Sequence, residues 1–221
     1  MDATLLRSTE LFSDLPEDII LQHVLPYGQF QHFSKGQYII VPQQRVENLA
    51  IVLSGRIHIV HLFSNGSFSL MSVLTKSDIL GVDLVCTRSQ IAPYHAMAAE
   101  PTHVMYFPTE ALTDPGIIPD KYRWTLLNRL LVIISHENMK KEYRLAILSQ
   151  KGLRDRLVTY LYMQAKRLHR TTFEIPFSRD ELASFLCVNR SALSHELSLM
   201  QQEGLISFHK TRFSLQNLES L

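Results

Sequence analysis

Between Ser178 and Ile206 the chain reads SRDELASFLCVNRSALSHELSLMQQEGLI, and its punctuation leaves room for little besides two short helices joined by a tight corner. Ser178 and Glu181 have capping-box spacing: the serine oxygen can take the Glu181 amide while the glutamate reaches back to the Ser178 amide. Leu182, Phe185 and Leu186 form an inner face, and Ala183 is small enough for a second helix to cross close by. Asn189 suits the cap of that second helix, whose Leu193, Leu197 and Met200 recur at i, i+4 and i+7. Its opposite face carries Arg190, Ser191, Ser194, His195 and Ser198. Such a polar face, with nothing large on it, matches the donors and acceptors that base edges present in a DNA major groove. A polar face turned only to water is the competing reading.

The corner itself is unusual. Cys187 stands where a positive φ is expected, a conformation that costs a non-glycine residue about 1 kcal/mol, too little to undo a turn packed on both sides. Beyond Gly204, which can end the helix, Ile206–Phe208 and Arg212–Leu215 alternate around His209-Lys210-Thr211. That pattern predicts a hairpin with a basic tip, a wing able to touch phosphates beside the groove. Lys210 and Arg212 on the wing, with Ser178 and Arg179 at the start of the first helix, complete the expected DNA-facing set. Charge is divided accordingly. Residues 1–148 hold 12 Lys/Arg against 14 Asp/Glu, a balance of −2, whereas residues 149–221 hold 10 against 7, or +3. The asymmetry is mild and points towards a polyanion for the C-terminal part.

Upstream the periodicity is different. ELFSDLPEDIILQHV predicts a helix capped by Ser13 or Asp14, with Pro16 in its first turn and Ile19, Ile20 and Val24 on its apolar side. From Phe30 the period becomes two, in GQYIIV, NLAIVL, RIHIVHLF, SFSLMSVL, YHAMAA and HVMYF, with turns at Lys35-Gly36, Ser54-Gly55, Asn65-Gly66 and Gly81. Many short strands at that spacing suggest a sandwich or small barrel. After TDPGIIPD a helical pattern carries two adjoining apolar stripes, Leu126, Leu130, Ile133 and Leu127, Leu131, Ile134. A band that wide asks for cover from two sides, one its own β module and the other a second copy of the chain.

These features together resemble the Crp/Fnr family of bacterial transcription regulators: LFSDLP, SKGQYI, LSGRIHI and SDILGVD in the β-rich part, a long helix, then the two-helix unit and its wing. The resemblance covers nearly the whole chain. It implies an α+β fold with an N-terminal jelly-roll β-barrel of the cyclic-nucleotide-binding type over residues 1–116, a dimerisation helix over 117–148, and a winged helix-turn-helix domain over 149–221. It further implies a homodimer reading a two-fold symmetric operator in double-stranded DNA, with RNA polymerase as a further partner. Arg190, Ser191 and His195 fall on the family's base-reading positions, with Ser194 beside them. His195 stands where arginine is frequent, and it offers one bond at a time in place of a planar fork, so the operator is expected to differ from the family's best-known half-site.

The resemblance also defines what the β module should not bind. In members that take cyclic nucleotides, a G-E-L segment is followed about eleven residues after its glycine by an Arg-Ser or Arg-Thr pair that clamps the phosphate. Counted from Gly81, the glutamate position is Val82 and the pair is Ala92-Pro93, so no cAMP binding is expected; Arg88-Ser89 is a register-shifted substitute. Val82, Ala92, Pro93, Tyr94 and Trp124 are the expected lining for a small, largely apolar effector, if the pocket takes one. No cofactor or metal is expected. Cys86 and Cys187, the only cysteines, have no C-x-x-C spacing and read as buried free thiols; lone histidines such as His95, His103 and His136 read as structural or exposed, not haem ligands. A cupin-type metal enzyme fails because His58 and His61, three apart on one strand, face opposite sides. No bilayer-spanning run is present, and a cytoplasmic location is expected. The remaining alternative is a sensor or adaptor whose C-terminal helices bind a protein instead of DNA.

Overall fold

The computed structural model describes residues 3–64 and 68–216, and the chain divides into two compact units, Met1–Gly66 with Met71–Met139, and Ser67–Leu70 with Lys140–Leu221. The expected Asn65-Gly66 turn lies outside the described residues.

The first unit opens with a short helix, α1 (Ala3–Arg7), that the sequence did not announce. The next helix is shorter and less regular than expected: α2 (Glu17–Ile19) continues as a π-helical turn over Ile20–Val24 and a 3₁₀ turn over Leu25–Tyr27. Ile19, Ile20 and Val24 are buried as their spacing requires. The capping expectation fails. Pro16 occupies the N-cap without a side-chain bond, because the two candidates are engaged elsewhere. The Ser13 hydroxyl donates to the Glu10 carbonyl at 3.1 Å, and the Asp14 carboxylate accepts from Arg129 Nε at 2.6 Å.

The strands are β1 (Gln29–Phe33), β2 (Tyr38–Ile40), β3 (Asn48–Ser54), β4 (Ile57–Leu62), β5 (Phe68–Leu74), β6 (Ile79–Leu80), β7 (His95–Ala98) and β8 (Thr102–Pro108), with a short helix α3 (Val82–Val85) after β6. They form two four-stranded sheets in the orders β1-β8-β3-β6 and β2-β7-β4-β5. Each apolar run of the sequence becomes a strand. A closed barrel does not form: among the described residues no ladder joins the two sheets, and β6 is two residues long. Gly55 shows why the turn after β3 needs glycine. Its φ is +91°, and a Cβ would lie 2.5 Å from the Pro101 carbonyl oxygen.

The long helix α4 (Asp120–Leu148) begins three residues later than the resemblance implied, and the two units part within it, between Met139 and Lys140. Leu126, Leu130 and Ile133 are buried in the core of their own β module, and Leu127 and Ile134 are partly buried against the same core. Five of the six residues expected at a dimer contact are therefore turned inward to some degree, because the β module alone covers most of the apolar band. Leu131 is left 62 % exposed.

The second unit contains α5 (Leu153–Leu168), β9 (Thr172–Glu174), α6 (Arg179–Phe185), α7 (Arg190–Gln202), β10 (Ile206–His209) and β11 (Arg212–Leu215). Its sheet has the order β10-β11-β9. Leu157, Leu161, Leu182, Leu186, Leu193, Leu197, Met200 and Phe213 are all buried. Phe177 and Phe185 lie 4.8 Å apart between ring centres, with Tyr160 5.7 Å from Phe185. Each fully buried aliphatic side chain contributes about 1.5–3 kcal/mol, which fixes the side of α7 that faces inward and hence the side that does not.

Candidate nucleic-acid interface

The first turn of α6 is held by the capping box read from the sequence: Ser178 Oγ accepts from the Glu181 amide at 3.3 Å, and Glu181 Oε2 accepts from the Ser178 amide at 2.6 Å. The corner that follows closes through the Cys187 amide to Ser184 O at 3.2 Å and the Val188 amide to Ala183 O at 3.0 Å. Cys187 adopts φ +57° there, so the left-handed corner survives the loss of glycine. Both cysteines are exposed, contrary to the expectation of buried thiols, although the Cys187 thiol lies 3.4 Å from the Ser69 hydroxyl. Asn189 occupies the N-cap of α7 but makes no side-chain cap bond.

With Leu193, Leu197 and Met200 buried, α7 presents Arg190, Ser191, His195 and Ser198 as exposed side chains, while Ser194 is half-buried. The Ser198 hydroxyl donates back to the Ser194 carbonyl at 2.9 Å. On the wing, the hairpin pairs His209 with Arg212 and Phe208 with Phe213. Lys210 turns the chain at φ +54°, and Lys210 and Arg212 are exposed at the tip.

Two members of the expected set are occupied. Ser178 is taken up by its cap. Arg179 is half-buried, with its guanidinium 4.8 Å above the Phe208 ring and 6.0 Å from Phe213. Burial, and then the charge of Arg190, make its protonated form less favourable than usual. Arg179 thus joins α6 to the wing by its stem and its flat face, and does not extend into solvent.

Residues that the sequence did not single out complete the arrangement. Asp180 Oδ1 is 3.3 Å from Arg190 Nε. On α5, Arg154 donates from Nε to Glu196 Oε1 at 2.5 Å and from both terminal nitrogens to the Glu203 carboxylate at 2.8 Å each. These bonds hold the Glu203 carboxyl below its usual range and anchor α5 to the middle and the end of α7. Sequence separations of 42 and 49 residues gave this clamp no local signature.

In the β module, Gly81 at φ +92° opens α3. Val82, Ala92 and Tyr94 are buried, but Pro93 is exposed and Trp124 is 70 % exposed, so the last two do not line an interior. Arg88 and Ser89 are exposed as well. The interior has a polar feature that was missed: the Tyr94 hydroxyl donates to Asp83 Oδ1 at 2.9 Å. Burial first, then the negative charge of Asp83, push ionisation of that phenol well up. His95 tilts against Tyr38, His103 rests against His32, and His136 Nδ1 is 3.4 Å from Glu10. Among the described residues no group of three or more His, Cys, Asp or Glu is placed to hold a metal ion.

A two-sheet module with an interior of this kind, followed by a capped two-helix unit and wing, defines the class of DNA-binding transcription regulators. Residues 30–114 match the cyclic nucleotide-binding domain family and residues 155–221 the Crp-like helix-turn-helix domain family. The chain is 22% identical over 195 residues to the global nitrogen regulator of Synechococcus elongatus, covering 86% of each chain. It is 21% identical over 193 residues to the fumarate and nitrate reduction regulatory protein of Escherichia coli, covering 85% of this chain and 74% of that one. Among solved structures it resembles FixK2 from Bradyrhizobium japonicum, with a TM-score of 0.65, 18% identity and coverage of 87% and 94% of the two chains. It also resembles the c-di-GMP-responsive regulator CLP of Xanthomonas campestris, with a TM-score of 0.68, 16% identity and coverage of 90% and 99%. The chain belongs to the Crp/Fnr family: it is a transcription regulator with a helix-turn-helix DNA-binding domain, not an enzyme. No helix among the described residues is long and apolar enough to cross a membrane.

Proposed function

We propose that the chain acts as a cytoplasmic homodimer on a two-fold symmetric operator, one α7 in each of two successive major grooves, under the control of an effector other than cAMP. The observation that carries the reading is the division of α7: Leu193, Leu197 and Met200 are buried, and Arg190, Ser191 and His195 are exposed on the other side. Such a helix can read base edges while the exposed Lys210 and Arg212 of the wing meet phosphates.

Dimerisation rests on α4. Trp124, Leu131, Val132 and Met139 are exposed, and at 100° per residue they fall on one side of the helix, an apolar stripe suited to its counterpart in a second copy. Exclusion of cAMP rests on Val82, at the family's glutamate position, on Ala92-Pro93, where its Arg-Ser or Arg-Thr phosphate clamp would stand, and on the Asp83 carboxylate beside Tyr94. A cyclic phosphate there would meet the negative charge of Asp83 and no arginine at the clamp positions, so it would lose contacts worth about 1.5–3 kcal/mol each. RNA polymerase is the further partner that such a regulator would engage.

Selection from random duplex DNA, followed by retention assays at fixed salt, tests the reading. Two half-sites about 34 Å apart should emerge, and Arg190→Ala should weaken binding to the selected site by about 1–3 kcal/mol and blur one base position per half-site. If no duplex is enriched, the C-terminal helices serve a protein partner instead. If the binding species sediments as a monomer, the dimeric part falls, and micromolar heat with cAMP overturns the exclusion.

A further inference from the structure

Arg190 is the first residue of α7, and two features limit where its guanidinium can go. The first is a neighbouring cation. Arg179 is fixed over Phe208 and Phe213, and the charge of Arg190 is close enough to disfavour the protonated state of Arg179. Left alone, two such cations would push each other apart, and Arg190, on a long exposed stem, would sample many rotamers. The second feature is Asp180, whose Oδ1 lies 3.3 Å from Arg190 Nε. Its backbone is fixed because it lies inside the capped turn between Ser178 and Glu181.

The side chains of Arg190 and Asp180 are 66% and 71% exposed. An exposed pair of this kind adds little to stability, so its consequence is orientation. A carboxylate that holds Nε leaves the two terminal nitrogens as a free fork. That edge matches guanine O6 and N7 with two parallel bonds.

We infer that Asp180 is a positioning residue for base recognition: by holding Arg190 at Nε it presents the remaining fork of the guanidinium to a guanine, and so sharpens discrimination at one base pair of each half-site. The inference rests on the DNA-reading function proposed above. It carries a signature that general stabilisation would not. Asp180 places a negative charge on a face that approaches phosphates, so it opposes non-specific binding while it favours the correct base.

The test uses the full chain, the selected operator, the same operator with single base-pair changes, and random duplex of equal length. Wild type, Asp180→Asn, Arg190→Ala and the double variant are compared at one salt concentration. Asp180→Asn should lower discrimination about three- to tenfold at the same base pair that Arg190→Ala blurs, with random-duplex affinity unchanged or higher and an unchanged melting temperature. The double variant should discriminate no worse than Arg190→Ala alone, since the two residues act as one device. Undiminished discrimination in Asp180→Asn overturns the inference, as do additive losses in the double variant. A loss confined to a different base pair also overturns it, because Asp180 would then be reading a base itself, for example a cytosine amine. In these cases the DNA-reading function stands. Should Arg190→Ala lose no discrimination, Arg190 does not read a base and the inference fails, while the selected operator still supports the DNA-reading function; that function fails only if selection enriches no duplex.

Discussion

The outer face of α7 and the interior beside α3 obtain their chemistry in different ways. The α7 face is contiguous in sequence: Arg190, Ser191 and His195 are exposed because Leu193, Leu197 and Met200, interleaved with them, are buried. The interior is assembled from segments that meet only in three dimensions, with Asp83 from α3 accepting a hydrogen bond from Tyr94 eleven residues away. One arrangement is the by-product of a local repeat, and the other depends on how the residue before β7 meets α3. A residue exchanged on the outer face of α7 therefore leaves the helix in place, whereas exchange of a buried polar group alters the packing of the interior itself.

If that contrast is right, damage to the buried side of α7 should have the largest effect. Leu197 is completely buried, and Leu197→Ala is expected to destabilise the C-terminal unit by about 2–5 kcal/mol and to abolish specific DNA retention, read by thermal melting and duplex binding. A variant that melts early yet binds its operator normally would show that the outer face does not depend on the inner one. The interior should respond more mildly and separately. Tyr94 is only 7 % exposed, and Tyr94→Phe removes one donor from Asp83, at an expected cost of about 1–2 kcal/mol. Operator affinity at saturating protein should be unchanged. A loss of discrimination between operators in this variant would erase the contrast between the two sites.

The same contrast explains how much could be read in advance. The capping box at Ser178 and Glu181, the crossing at Ala183, the stop at Gly204 and the hairpin around Lys210 are all encoded within a few residues, and each is present. The strands were legible one by one, because apolar alternation is local. Their closure was not: two sheets or one barrel depends on which edges pair, a question of contacts between distant segments. Asn189 and Ser13 looked like caps by residue type, but a cap needs a side-chain rotamer as well as a residue, and Ser13 makes its bond backwards to Glu10. On α4 the width of the apolar band was correct, but the sequence could not apportion it. The β module covers Leu126, Leu130 and Ile133, leaving Trp124 and Leu131 outside. Nothing in the sequence marked Asp180, since its partner Arg190 stands beyond the corner.

The corner gives the smallest and most discriminating expectation. Cys187 holds φ +57°, a left-handed geometry that costs a non-glycine residue about 1–2 kcal/mol. Glycine removes that strain but brings about 0.5–1 kcal/mol of extra chain entropy in the unfolded state. It also removes the thiol, which lies 3.4 Å from the Ser69 hydroxyl. Cys187→Gly is therefore expected to raise stability by about 0.5 kcal/mol, measured by denaturant midpoint, with base discrimination untouched because the side chain is not on the α7 face. Cys187→Ala separates the contributions: it keeps the strained backbone and loses the thiol, so it should be no more stable than the natural chain. If glycine proves destabilising and alanine equally so, the thiol contact outweighs the backbone strain. The corner would then be held by its side chain and not by the packing of α6 against α7.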